Sequence, residues 1–93
     1  MLSKIPVNID KLKKEDLDKE IVRIGLIAEL DAINLYEQLA SMTKNENIKR
    51  VLLDIAEEEK THVGEFLALL LKMDEEQVKE LEKGKKEVEE LSK

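Results

Sequence analysis

Glu59 and His62, the single histidine of the chain, lie three residues apart in the run Glu57-Glu58-Glu59-Lys60-Thr61-His62. Ile48, Leu52, Ile55, Glu59, His62, Phe66 and Leu69 follow one another at spacings of three and four, so on a helix they share one face. Two ionisable groups therefore occupy positions meant for core side chains. Burying an unpaired carboxylate costs about several kcal/mol, so a sequence that keeps one there usually supplies a proton, a cation or a metal. Cysteine is absent, which leaves oxygen and imidazole as the strong donors and favours iron, manganese or zinc.

Three helices would carry these groups. The chain from about Glu15 to Met42 has apolar residues at helical spacing, Leu17, Ile21, Ile24 and Ala28, with Val22, Leu26, Ile33, Tyr36 and Leu39 on the adjacent face. Such a helix is apolar nearly all round, and a lone hairpin could not cover it. Thr43, Lys44 and Asn45 form a short turn, with Asn45 an N-cap for a second helix from about Glu46 to Lys72. So short a connection makes the two helices antiparallel neighbours. Asp74 with Gln77 has the pattern of an N-cap and capping box and opens a third, more polar helix from about Glu75 to Leu91, weakened in its middle by Gly84. Val78, Leu81, Val88 and Leu91 are its sparse apolar positions, and the helix is expected to dock on another subunit or to stay partly mobile. The expected division is an irregular leader over 1–14, a helical hairpin over 15–72 and a C-terminal helix over 74–93, in a single all-α domain.

In an antiparallel hairpin, residues equally far from the turn lie at the same height. Glu29 and Glu59 are both fifteen residues from Lys44, which at 1.5 Å per residue is about 22 Å from the turn. Glu29 stands among Val22, Leu26, Ile33 and Tyr36, so Glu29, Glu59 and His62 converge in one interior patch. A carboxylate from one helix and Glu-x-x-His from another make half the ligand set of a di-iron carboxylate bundle. Two copies of the hairpin supply the whole: a twofold dimer completing a four-helix bundle, with four carboxylates to neutralise two divalent cations. Tyr36 is either a core aromatic or a hydrogen-bond partner of a ligand carboxylate. Asp31, Asn34, Glu37, Glu58 and Glu65 are expected to be surface or subunit-contact charges, and Met42 and Met73 packing residues at helix ends.

Composition excludes several classes. A net charge of −6 with 2% aromatic residues offers neither a basic stripe nor a stacking platform for nucleic acid. The apolar stretches are broken by Arg23, Glu29, Asp31, Asn34 and Glu65, too short for a membrane span. Lys4, Pro6, Asn8 and Asp10 break the opening, so no secretory segment is expected and a cytoplasmic location is the default. At 93 residues a single domain buries a modest share of its surface, and a homo-oligomer is the expected remedy.

From about Val22 to Met73 the chain resembles the encapsulated ferritins, ferritin-like proteins associated with encapsulin nanocompartments. Ala28-Glu29-Leu30-Asp31-Ala32, Leu35-Tyr36-Glu37-Gln38 and Glu58-Glu59-Lys60-Thr61-His62 carry the resemblance, together with the thirty-residue separation of Glu29 from Glu59. It implies a ferritin-like bundle formed by dimerisation, with a ferroxidase that oxidises Fe(II) to Fe(III) with dioxygen at a di-iron centre between two subunits. It also implies assembly into a decameric ring that feeds iron to an encapsulin shell, for iron storage and detoxification inside that compartment. By position Glu29, Glu59 and His62 would be the iron ligands and Tyr36 the tyrosine beside them. Some relatives carry acidic residues at the positions of Ala28 and Asp31, forming an outer point where metal enters; here Asp31 alone keeps the charge. The end Glu87-Val88-Glu89-Glu90-Leu91-Ser92-Lys93 has no obvious Gly/Leu-rich cargo peptide. Fusion to a shell protein, as in some archaeal relatives, truncation and an independent protein all stay open. Two alternatives stand beside the ferroxidase: another ferritin-like di-metal oxidase or peroxidase, and a non-catalytic helical assembly module bridged by a metal such as zinc.

Overall fold

The computed structural model of the chain describes residues 14–92. Among these residues there are three helices and no strand: α1 (Lys14–Met42), α2 (Glu46–Met73) and α3 (Glu75–Leu91). The leader expected over 1–14 lies outside the described residues as far as residue 13, and Lys14 is already helical. Close partners show that α1 and α2 run antiparallel, since Glu37 meets Lys60, Glu29 meets His62, Gly25 meets Phe66 and Arg23 meets Asp74. Residue numbers fall along one helix as they rise along the other.

The turn is built from side chains that satisfy backbone groups. Thr43 Oγ1 accepts from the Asn45 N–H at 3.1 Å, and Asn45 Oδ1 accepts from the N–H groups of Asn47 at 3.0 Å and Ile48 at 3.1 Å. Asn45 has extended backbone angles, φ −82° and ψ 115°, as an N-cap requires. Asp74 alone separates α2 from α3, and its Oδ1 accepts from the Gln77 N–H at 3.0 Å. The other carboxylate oxygen receives a hydrogen bond from Arg23 Nη2 at 3.0 Å. One side chain thus caps α3 and ties its start to α1. The Gln77 N–H first, and then Arg23, hold the Asp74 carboxyl below the usual carboxylate range.

Burial is concentrated on a narrow seam. Val22, Ile33 and Ala40 of α1 and Ala56 and Leu70 of α2 are the buried apolar residues among those described. Ala56, Val63 and Leu70 recur every seven residues, with Val63 half-buried, and mark a line along α2 that faces α1. The stripe expected to form the core lies beside that line: Leu52, Ile55, Glu59, His62 and Phe66 are half-buried, while Ile48 and Leu69 are exposed. A hairpin of two helices closes one side of such a stripe and leaves the other open. Ile21, Ile27, Leu30 and Val51 are exposed as well.

The radius of gyration is 16.6 Å, against about 12 Å for a compact domain of this length. In helix α3 no residue is buried, and Val78, Leu81, Val88 and Leu91 are all exposed. It remains one helix through Gly84. Two expectations are corrected. Met42 is 76% exposed and so is not packed within the chain, whereas Met73 is 38% exposed. Asp31, expected as a surface or subunit-contact charge, is buried within the chain and has a partner. It lies half a turn around α1 from Val22, Ile33 and Ala40, so the seam is not what covers it.

Candidate metal centre

Helix α1 contributes Glu29, and α2 contributes Glu59 and His62 from adjacent turns of one face. His62 Nδ1 lies 3.2 Å from Glu59 Oε2 and 3.5 Å from Glu29 Oε2. One ligand atom from each of the three falls within 4.8 Å of the others, a span that a single ion can bridge once the side chains draw inward. The height count from the turn and the structure agree in bringing these three residues together. Regular helical rise is what makes so simple a ruler hold over fifteen residues.

The exposures differ in a telling way. The carboxylate side chains of Glu29 and Glu59 keep 20% and 19% of their surface, whereas His62 keeps 44%. Both carboxylates are withdrawn into the groove between the helices, and the imidazole stands at its open edge. With His62 neutral the group carries two negative charges and no compensating cation among the ion pairs of the described residues. Two carboxylates and an imidazole form a mixed oxygen and nitrogen donor set that fits a first-row transition metal such as iron better than calcium or magnesium.

Other residues fall around this centre. Tyr36 is half-buried and two helical turns from Glu29, about 10 Å along the axis. Glu37 is exposed and pairs with Lys60 at 3.4 Å, a link across the hairpin on its solvent side. Asn34, Glu58 and Glu65 are exposed as expected. Asp31 is buried. A shallow apolar hollow lined by Asn47, Ile48, Val51 and Leu52 sits near the turn, away from the three donors.

Two features escaped the sequence reading. Arg23 looked like a mere interruption of an apolar stretch, yet it reaches the helix junction 51 residues away. Gly25 was given no role, yet the Phe66 ring lies against its bare Cα. A glycine inside a helix that otherwise has none was the one signal, because it costs about 1 kcal/mol relative to alanine.

Paired antiparallel helices offering one carboxylate and one Glu-x-x-His define half of a ferritin-like carboxylate bundle. Comparison with known proteins agrees. The Rubrerythrin family pattern matches residues 20–93. The crystal structure of the encapsulated ferritin domain from Pyrococcus furiosus superimposes with a TM-score of 0.83 at 55% identity, covering 98% of this chain and 95% of that one. A ferritin-like-encapsulin shell fusion protein of Pyrococcus furiosus is 57% identical over 95 residues, covering 99% of this chain and 27% of that protein. The encapsulin nanocompartment cargo protein EncC of Myxococcus xanthus is 41% identical over 56 residues, covering 60% of this chain and 43% of EncC. The chain thus spans about a quarter of the fusion protein and less than half of EncC. It belongs to the Rubrerythrin family and, within it, to the encapsulated ferritins.

Proposed function

We propose that this protein is a ferroxidase that oxidises Fe(II) to Fe(III) with dioxygen at a site completed by two copies of the chain. The observation that carries the reading is the convergence of Glu29, Glu59 and His62, from two helices, within 4.8 Å. Iron is the substrate. Each Fe(II) gives up one electron, and dioxygen is the acceptor.

The protein's own part follows from the exposures. Glu29 and Glu59 bring two negative charges per chain, enough for one divalent cation, and two chains together balance two. His62 supplies a nitrogen donor that selects a transition metal over the harder cations. Its open edge is where a second chain would close the groove and complete the bundle. Three donors per chain leave coordination positions for dioxygen and for release of Fe(III). A Tyr36 hydroxyl hydrogen-bonded to a ligand carboxylate would hold that carboxylate in place.

Further assembly into a decameric ring, and delivery of iron to an encapsulin shell inside a nanocompartment, extend the reading. They are supported by what the similar proteins are: a shell fusion, a cargo protein and an encapsulated ferritin domain. Among the described residues no helix is long and apolar enough to cross a membrane.

The test is aerobic addition of Fe(II) to the wild type and to Glu59→Ala and His62→Ala, following Fe(III) absorbance, with hydrogen peroxide as a parallel oxidant. The ferroxidase reading expects rapid oxidation by oxygen in the wild type and near-complete loss in both variants. Oxidation no faster than in buffer sinks it. A rate much higher with peroxide than with oxygen points instead to a peroxidase of the same class.

A further inference from the structure

A Cβ placed on Gly25 would lie 2.5 Å from Phe66 Cε1, 2.7 Å from Cζ and 2.9 Å from Cδ1. Carbon atoms that are not bonded stay well beyond these distances, so the Phe66 ring occupies space that any other residue at position 25 would need. Gly25 lies four residues before Glu29, and Phe66 four residues after His62. Residues four apart share a helix face, so this contact forms the layer of the hairpin next to the three donors. Gly25 is also the only glycine of α1, at an interior position where glycine is disfavoured.

We propose that the Gly25–Phe66 contact is the positioning device of the metal centre. The ring lies against bare backbone and sets the separation and rotation of α1 relative to α2, one turn from the donors. It thereby sets the span between Glu29 on one helix and Glu59 with His62 on the other. Neither residue touches metal; each acts through the ligand one turn away on its own helix. A methyl group at position 25 must either drive the ring aside or part the helices. Parting the helices shifts Glu29 relative to His62, now 3.5 Å apart.

The inference rests on Glu29, Glu59 and His62 being metal ligands, and its test separates the two claims. Co(II) serves as the probe, because its visible bands report ligand geometry while titration gives affinity without any turnover. Wild type, Glu59→Ala, Gly25→Ala, Phe66→Leu and the double variant Gly25→Ala/Phe66→Leu are titrated as full chains, with thermal melting in parallel. Gly25→Ala is expected to weaken Co(II) binding about tenfold and to alter the visible bands, as changes just outside a ligand set do. In the Phe66→Leu background the same change should cost less than about threefold, because the obstructing ring is gone.

A Gly25→Ala protein that melts earlier but keeps the wild-type affinity and bands overturns the proposal, leaving the contact as ordinary packing. Equal damage from Gly25→Ala in both backgrounds also overturns it. Should Gly25→Ala alone fail to fold, the Phe66→Leu and double variants still decide: near-equal affinities support the proposal, and a tenfold gap overturns it. Equal Co(II) binding by wild type and Glu59→Ala refutes the ligand assignment itself.

Discussion

Replacing Asn45 by alanine removes the acceptor that holds two otherwise unpaired N–H groups at the start of α2, those of Asn47 at 3.0 Å and Ile48 at 3.1 Å. The cap is solvent-exposed, so water can take over both donors, which keeps the loss near the usual value of about 1 kcal/mol. For a domain of this size that corresponds to a Tm lowered by roughly 4–8 °C. Asn45→Asp should be nearly neutral, because a carboxylate caps as well as an amide and favours the positive end of the helix dipole. Asn45→Gly should cost only about a few tenths of a kcal/mol, since glycine lets water reach the same N–H groups. The assay is thermal melting by circular dichroism at one fixed protein concentration, because self-association would add its own stabilisation. Metal affinity should stay unchanged, since buried Ala40, Ala56 and Leu70, and the Gly25–Phe66 contact, hold the two helices independently of the cap. An unchanged Tm in Asn45→Ala, or a glycine variant less stable than the alanine variant, refutes the reasoning.

Two further outcomes follow from the same geometry. The folded-state pKa of Asp74 is lowered, so its stabilising contribution is present above the ordinary carboxylate value of about 3.9 and is lost as pH falls through the lower folded value. Helicity followed from about pH 5 to about pH 2 should show this acid-sensitive step in the wild type and a smaller one in Asp74→Asn; identical acid titrations count against it. Leu70 is 3% exposed and one of five buried apolar residues among those described, so Leu70→Ala should cost about 2–4 kcal/mol and lower the Tm more than any Asn45 variant. A melting curve like that of the wild type would show that the seam is not where the hairpin is held.

Local signals carried the fold into the sequence. Asn45 and Asp74 cap α2 and α3 as their side-chain chemistry dictates, and helical spacing marked the elements between them. The candidate metal centre was legible for a related reason: Glu59 and His62 violate an apolar stripe, and regular rise in two antiparallel helices brings Glu29 to their height. Burial was less legible, because it depends on which line of each helix faces the other. Periodicity picked a stripe that includes Ile48 and Leu69, but the contact line runs through Ala56 and Leu70, whose fit permits close approach. Asp31 shows the same limit, since charge alone suggested solvent and its burial arises from tertiary surroundings. The Arg23–Asp74 bond joins residues 51 apart, and no local pattern announces it.

The central claim is that each chain supplies half of a di-iron site. Sedimentation velocity during anaerobic Fe(II) titration, with protein and bound iron followed in the same boundaries, tests it most directly. The account predicts saturation at one iron per chain, carried by dimers or larger species, with both binding and iron-linked association lost in Glu59→Ala. Iron bound stoichiometrically by monomers, or bound equally well by Glu59→Ala, would contradict it.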